Sequence, residues 1–152
     1  HRIIGRLCEV FRAAHGLDLG ADAVALQRLK YGAERARQIL SERTEADLEL
    51  PMLASGGQGV SYRLTRDELE TLCGDLLERL AEPCAAALAS AALEPRDIDR
   101  LILGGGMSLM PAVRARVEAV FGRKAVAPAS PEEAVAVGAA LSVHLHGRAA
   151  DG

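Results

Sequence analysis

The chain has 152 residues, 49% hydrophobic and 26% charged, with a net charge of −3, 3% aromatic residues and no Trp. That length suits one domain or half of a larger one, and the apolar fraction supports a sizeable core, which excludes a disordered polyelectrolyte. The lack of a basic excess argues against tracking nucleic-acid phosphates, the scarcity of aromatics against stacking bases, and no apolar run approaches the ~20 residues of a membrane span.

The opening residues do not read as a signal peptide, because Arg2 and Arg6 bracket only Ile3 and Ile4. The chain starts at His1 in helical sequence, so we expect a piece of a longer protein. Ile3, Leu7, Val10, Phe11 and Ala14 recur at helical spacing up to a stop at Gly16. A second helix is predicted from about Asp22 to Ser41, with Leu26, Leu29, Ala33, Ala36 and Leu40 on one face. Its other face carries Lys30, Glu34, Arg37 and Ser41, where ion pairs Lys30–Glu34 and Glu34–Arg37 would each contribute about 0.3–0.5 kcal/mol. By its residues alone this face reads first as a solvated helix surface, with a binding surface as the alternative.

The period then changes. Leu48 and Leu50 alternate with Asp47 and Glu49, and Val60, Tyr62 and Leu64 alternate with Ser61 and Arg63. With Ser55–Gly59 as the turn, this predicts a two-stranded hairpin, and Pro51 marks an edge or a bulge. Thr65 and Glu68 form a capping-box pattern ahead of a helix whose stripe is Leu69, Leu72, Cys73, Leu76, Leu77 and Leu80. Pro83 starts or kinks the next, alanine-rich helix.

Leu101-Ile102-Leu103 reads as a short buried strand leading into Gly104-Gly105-Gly106 and a helix that opens at Pro111, with Val113, Val117, Val120 and Phe121 inward. Glycines there serve a tight turn or let backbone approach a nucleotide closely. The loop lacks the Gly-Lys-Ser/Thr of a Walker motif, and Leu109 occupies the third glycine position of a dinucleotide fingerprint. Residues 125–127 suggest a further short strand. Ser130-Pro131-Glu132-Glu133 predicts a capped last helix to about Leu145, and the tail from Gly147 is expected to fray.

Cys8, Cys73 and Cys84 are odd in number, widely spaced and without a CxxC, so we expect buried thiols in a reducing cytosol rather than a disulfide or zinc site. His1, His15, His144 and His146 have no nucleophile at useful spacing, and no catalytic dyad is visible.

The segments Ala25-Leu26-Gln27-Arg28-Leu29-Lys30, Ala33-Glu34-Arg35-Ala36-Arg37 and Leu40-Ser41 resemble the nucleotide-binding domain of heat shock protein 70 (DnaK-type) chaperones. So do Leu64-Thr65-Arg66 with Leu69-Glu70, and Asp97-Ile98-Asp99 before Leu103. Gly105-Gly106, Met110-Pro111, Phe121-Gly122, and Pro131-Glu132-Glu133-Ala134-Val135-Ala136 with Gly138-Ala139-Ala140 complete a resemblance that runs along the whole chain in order.

The resemblance implies an α/β, actin-like ATPase fold, of which this chain is lobe II: a helical outer subdomain with a small antiparallel hairpin sheet, and part of the inner α/β subdomain. Residues 17–96 would form the outer subdomain. Residues 1–16 and 97–146 would belong to the inner one, with 147–152 as the frayed tail. The implied function is the adenosine-binding half of a chaperone ATPase that couples ATP binding and hydrolysis to protein folding in the cytoplasm.

By resemblance, Glu34 and Arg37 meet the ribose, Ser41 and Glu132 lie near the adenine, and Gly105 and Gly106 pass close to phosphates and ribose. The pattern departs from the family at five positions. Gln38 and Leu109 stand where two arginines usually sandwich the adenine, Met107 replaces a serine, Arg37 a lysine and Glu132 an aspartate. Losing two stacking guanidiniums costs about 1–3 kcal/mol of affinity.

The family's phosphate loops, catalytic lysine and magnesium aspartates would lie upstream, so Mg2+ is expected only with the missing lobe and the piece alone is not catalytic. The implied partners are that N-terminal lobe, the peptide-binding domain, a nucleotide-exchange factor on the outer subdomain and a J-domain co-chaperone. An alternative is a divergent pseudo-ATPase acting through protein contacts, motivated by the two missing arginines. The hairpin and the Pro131–Ala136 run argue against a sugar kinase or filament protein.

Overall fold

A computed structural model describes residues 1–126, 128 and 130–150, with side chains described as far as residue 143. The chain forms two compact units, His1–Asp75 and the remainder from Leu76.

In the first unit, α1 (Arg2–His15) buries Ile3, Leu7 and Phe11 and stops at Gly16, whose φ of 69° ends the helix in a left-handed cap. Helix α2 (Ala23–Glu42) begins where the Asp22 carboxylate accepts the backbone N–H groups of Val24 and Ala25, both at 2.9 Å. It buries Ala25, Leu29, Gly32, Ala33, Ala36 and Leu40, so the predicted stripe is the core face, with Leu26 half-buried.

The predicted hairpin is present. β1 (Glu45–Leu50) pairs antiparallel with β2 (Val60–Thr65), with Asp47 opposite Arg63 and Leu48 opposite Tyr62. Ala46, Leu48, Val60 and Leu64 point into the core while Glu45, Asp47 and Glu49 face water, as a two-residue period requires. The connecting loop turns where Leu53 and Ala54 N–H both reach the Gln58 carbonyl. At Gly59 a Cβ would stand 2.6 Å from the Leu50 carbonyl oxygen and 2.8 Å from Pro51 Cα, so the loop closes only around glycine.

Phe11, Leu7, Leu29, Leu40 and Leu64 are fully enclosed, each contributing about 1.5–3 kcal/mol of burial. The core joins α1 to α2, β2 and α3 (Arg66–Leu72), so α1 belongs to the hairpin's unit.

The Thr65 hydroxyl accepts the Glu68 N–H at 3.1 Å, but the return bond of the expected capping box is not made. Glu68 instead accepts Arg6 Nε at 3.0 Å and the Tyr62 hydroxyl, an interaction between distant segments that outcompetes the local one. The single helix expected after Thr65 breaks at Cys73, and α4 (Gly74–Arg79) follows. Gly74 is the weak point, and Leu76, expected inside, is 44% exposed.

In the second unit, α5 (Ala81–Ser90) holds Pro83 in its first turn, where a missing N–H costs nothing. None of its residues is fully buried. β3 (Leu101–Ile102) runs parallel to β4 (Ala125–Val126), and residue 127 of the expected strand lies outside the described residues. α6 (Pro111–Phe121) starts on proline and ends at Gly122, φ 59°. Its Val117 packs with Leu101 and Ala125, and Leu103 and Phe121 border that cluster.

Helix α7 (Ala134–Ala150) starts later and ends later than expected. Residues 131–133 form a turn, with Glu133 N–H on the Ser130 carbonyl at 3.1 Å rather than a side-chain cap. At the far end, Arg148, Ala149 and Ala150 are strong helix formers that carry the helix past Gly147. Residues 151–152 of the expected tail lie outside the described residues. The three cysteines are free and half-buried, not fully buried as expected. No helix among the described residues is long and apolar enough to cross a membrane.

Candidate functional site

The candidate residues fall into two sets, one in each compact unit. The first lies on α2. Because its opposite face is anchored by Leu29, Ala33, Ala36 and Leu40, the helix presents Glu34, Arg37, Gln38 and Ser41 at fixed angular positions.

Arg37 and Glu34 form a two-pronged ion pair. Arg37 Nε donates to Glu34 Oε2 at 3.0 Å, and Nη2 to Oε1 at 2.6 Å. Gln38 Nε2 reaches Glu34 Oε1 at 3.4 Å. The Ser41 hydroxyl donates back to the Arg37 carbonyl at 3.2 Å. The Arg37 side chain is only 16% exposed and Glu34 is 54% exposed, so the pair fixes the carboxylate while leaving it reachable. The hydrogen bond from Arg37 leads the causes that hold the Glu34 carboxyl below its ordinary pKa, against a partial cost of burial. Glu34 is therefore an ionised acceptor at neutral pH. The expected pair between Lys30 and Glu34 is absent among the described residues, since Arg37 already claims both carboxylate oxygens.

The second set lies between β3 and α7. After Leu103, whose N–H bonds to Val126 O at 3.2 Å, Gly105 adopts φ 86° and ψ 156°. Side chains rarely tolerate that conformation, and a Cβ on Gly105 would meet nothing within 4 Å, so the backbone lies open to an approaching group. The helix opens at Pro111, where the sequence placed it. A 3-10 turn, Gly106–Leu109, comes first.

Ser108 stabilises that turn, with both its N–H (3.0 Å) and its hydroxyl (2.7 Å) on the Gly105 carbonyl. Met107 and Leu109 are 50% and 43% exposed, apolar surfaces beside the glycines. Gly105 N–H donates to Pro131 O at 2.6 Å, which ties the glycine loop to the turn that carries the exposed Glu132. Of the candidate residues, then, Gly105, Gly106, Met107, Leu109 and Glu132 share one neighbourhood.

Two contributors were missed in the sequence. Ser108, three residues from Gly105, carries a recognisable local signal, the side-chain-to-backbone bond typical of serine turns. The Pro131 carbonyl carries none, because its bond spans distant segments. Among the described residues, no group of three or more His, Cys, Asp or Glu is placed to hold a metal ion.

Both sets suit a nucleoside. An ionised acceptor matches a diol, a glycine backbone with open space allows close approach, and flanking apolar side chains can cover a planar ring. A family model described as Hsp70 protein matches residues 1–151. The order of helices, hairpin and short parallel strands agrees with that match, and the chain belongs to the Hsp70 family, the ATP-binding heat shock chaperones with an actin-like ATPase fold.

Proposed function

We propose that the chain is lobe II of the nucleotide-binding domain of a DnaK-type chaperone and supplies the adenosine-binding half of its ATPase site. By the family resemblance, residues 17–96 would form the outer subdomain and residues 1–16 with 97–146 the inner one, although α1 packs here on α2, β2 and α3. The observation that carries this reading is the α2 face, where a half-exposed, ionised Glu34 is locked by Arg37 in a fixed direction.

Glu34 accepts the ribose hydroxyls, and Arg37 orients Glu34. Ser41, Gln38 and Glu132 contribute polar contacts toward the base. Gly105 and Gly106 let the backbone pass close to the nucleotide, and Met107 and Leu109 provide apolar cover in place of a stacked guanidinium. ATP brings the phosphoryl group whose hydrolysis drives the chaperone cycle. In this reading the chain's own residues bind and orient the nucleoside, and the residues that hold phosphates and Mg2+ belong to the N-terminal lobe. The further partners are the peptide-binding domain, a nucleotide-exchange factor on the outer subdomain and a J-domain co-chaperone, in the cytoplasm.

A second reading, a pseudo-ATPase that works through protein contacts, is favoured by Gln38 and Leu109 alone. An amide NMR titration with ADP separates the two. Shifts at Glu34, Ser41, Gly105 and Gly106 that vanish in Glu34→Ala are expected. Silence at these positions, both in this chain and after the upstream half is joined to it, would contradict the first reading.

A further inference from the structure

The outer edge of β1 is unpaired. Arg66 N–H donates to the Thr44 carbonyl at 2.8 Å, and the register continues through Ala46↔Leu64, Leu48↔Tyr62 and Leu50↔Val60. In an antiparallel ladder, bonded and non-bonded pairs alternate. Ala46, Leu48 and Leu50 are therefore in phase with Thr44 and bond to β2, while the N–H and C=O groups of Glu45, Asp47 and Glu49 point the other way. The sheet ends there, with order β1–β2 among the described residues.

A groove of about 280 Å³ follows this edge, between Tyr31, Arg35 and Ile39 of α2 and Asp47, Leu48 and Glu49 of β1. No residue of β2 lines it, which places it on the free side of the strand. Past Leu50 an apolar hollow of about 500 Å³ continues along Pro51, Met52 and Leu53 and shares Tyr31 with the groove. Tyr31 and Met52 are 70% and 64% exposed.

The charges select the occupant. The solvent face of the strand carries Glu45, Asp47 and Glu49. Arg63 answers Asp47 at 2.8 Å and Glu45 at 3.8 Å, while the only partner of Glu49 in the sheet is the Ser61 hydroxyl at 2.6 Å. An edge so acidic repels a second copy of itself, because like charges would stand opposite each other. It attracts a strand with basic residues on its outer face. Inside the groove Arg35 repels the same basic residues, so the inward positions must be apolar.

We infer that the β1 edge accepts, as a third strand, an extended segment of a partner protein in which basic and apolar residues alternate. The backbone groups of Glu45, Asp47 and Glu49 supply the hydrogen bonds, the carboxylates select the outward basic side chains, and the groove beside α2 takes the inward apolar ones.

The test is amide hydrogen exchange on the whole chain with an acetylated, amidated hexapeptide of alternating lysine and valine. Exchange at the Glu45, Asp47 and Glu49 N–H groups slows about tenfold or more, since these donors become paired. A glutamate–valine peptide binds about tenfold more weakly, and the double substitution Asp47→Lys, Glu49→Lys reverses that preference while leaving the amide spectrum outside the hairpin unchanged. Unaltered exchange at millimolar peptide overturns the inference. So does equal protection by the same peptide N-methylated at its lysines, whose N–H groups would otherwise face β1, which would mean surface charge alone. Protection that grows with protein concentration and needs no peptide would assign the edge to a second copy, and also overturns it.

Discussion

Residues 1–75 enclose Phe11, Leu7, Leu29, Leu40 and Leu64 completely, whereas the buried cluster beyond Leu76 is Leu101, Val117 and Ala125, bordered by Leu103 and Phe121. The strands differ in the same sense. β1 and β2 pair over six residues each, β1 resting on α2 and β2 on α1 and α3, while β3 and β4 pair over two and leave Ile102 and Val126 65% and 59% exposed. Parallel strands ordinarily have both faces covered. The candidate residues inherit this contrast. Glu34 and Arg37 stand on a helix held by a core, but the Gly105 loop is held by backbone bonds to Pro131 and Ser108. The first set is positioned by packing and the second by hydrogen bonding, so the two should respond differently to perturbation.

The largest expected difference comes from emptying each core. Phe11→Ala should cost about 3–5 kcal/mol, and Val117→Ala about 2 kcal/mol, because less apolar volume is lost from a smaller cluster. Denaturant melts with residue-resolved hydrogen exchange check this. Phe11→Ala should lower protection in α2 and the hairpin first. Equal loss in both units would mean that they unfold as one body and would break the comparison.

A smaller effect is expected at the hairpin loop. Gly59→Ala should destabilise the first unit by about 1–3 kcal/mol through contact with the Leu50 carbonyl and Pro51 backbone. Gly5→Ala, where nothing lies within 4 Å of a new Cβ, serves as the control and should be neutral or stabilising.

The mildest effect is a pH dependence confined to the second unit. Glu118 accepts Lys124 Nζ and the Ala125 N–H, both at 2.9 Å, and Arg114 Nε at 3.0 Å. Lys124 first, then the Ala125 N–H and Arg114, bring its pKa down from 4.5 to about 2. A carboxyl with a depressed native pKa stabilises the fold above its unfolded value, and that stabilisation is lost as pH falls from about 4.5 toward 2. Glu118→Gln should flatten the acid limb of the stability curve for α6 and β4 and leave that of the hairpin unchanged. An unchanged acid limb would show that Glu118 is not the group that titrates.

What the sequence made legible follows the range of the interactions. The start of α2 near Asp22, the buried stripe of α2, the alternation of β1 and β2 and the glycines after β3 are all set by neighbours a few residues apart. The face carrying Lys30, Glu34, Arg37 and Ser41 followed from helical spacing, and Gln38 joined it only through the family resemblance. The diversion of Glu68 from its cap to Arg6 and Tyr62 and the bond from Gly105 to Pro131 were hidden, because each depends on a partner that only the fold brings near, whereas the break at Gly74 is a local glycine weakness that the continuous leucine stripe masked. The late start of α7 has a similar origin, since Pro131 gives its carbonyl to Gly105 in a turn instead of opening a helix.

The most direct test of the central claim is hydrogen exchange of the whole chain across an ADP titration, read at the α2 face. If the α2 face binds the nucleoside, protection rises at residues 34–41 and Glu34→Ala weakens it. No protection there, or protection that Glu34→Ala leaves unchanged, would contradict an adenosine-binding role for this face.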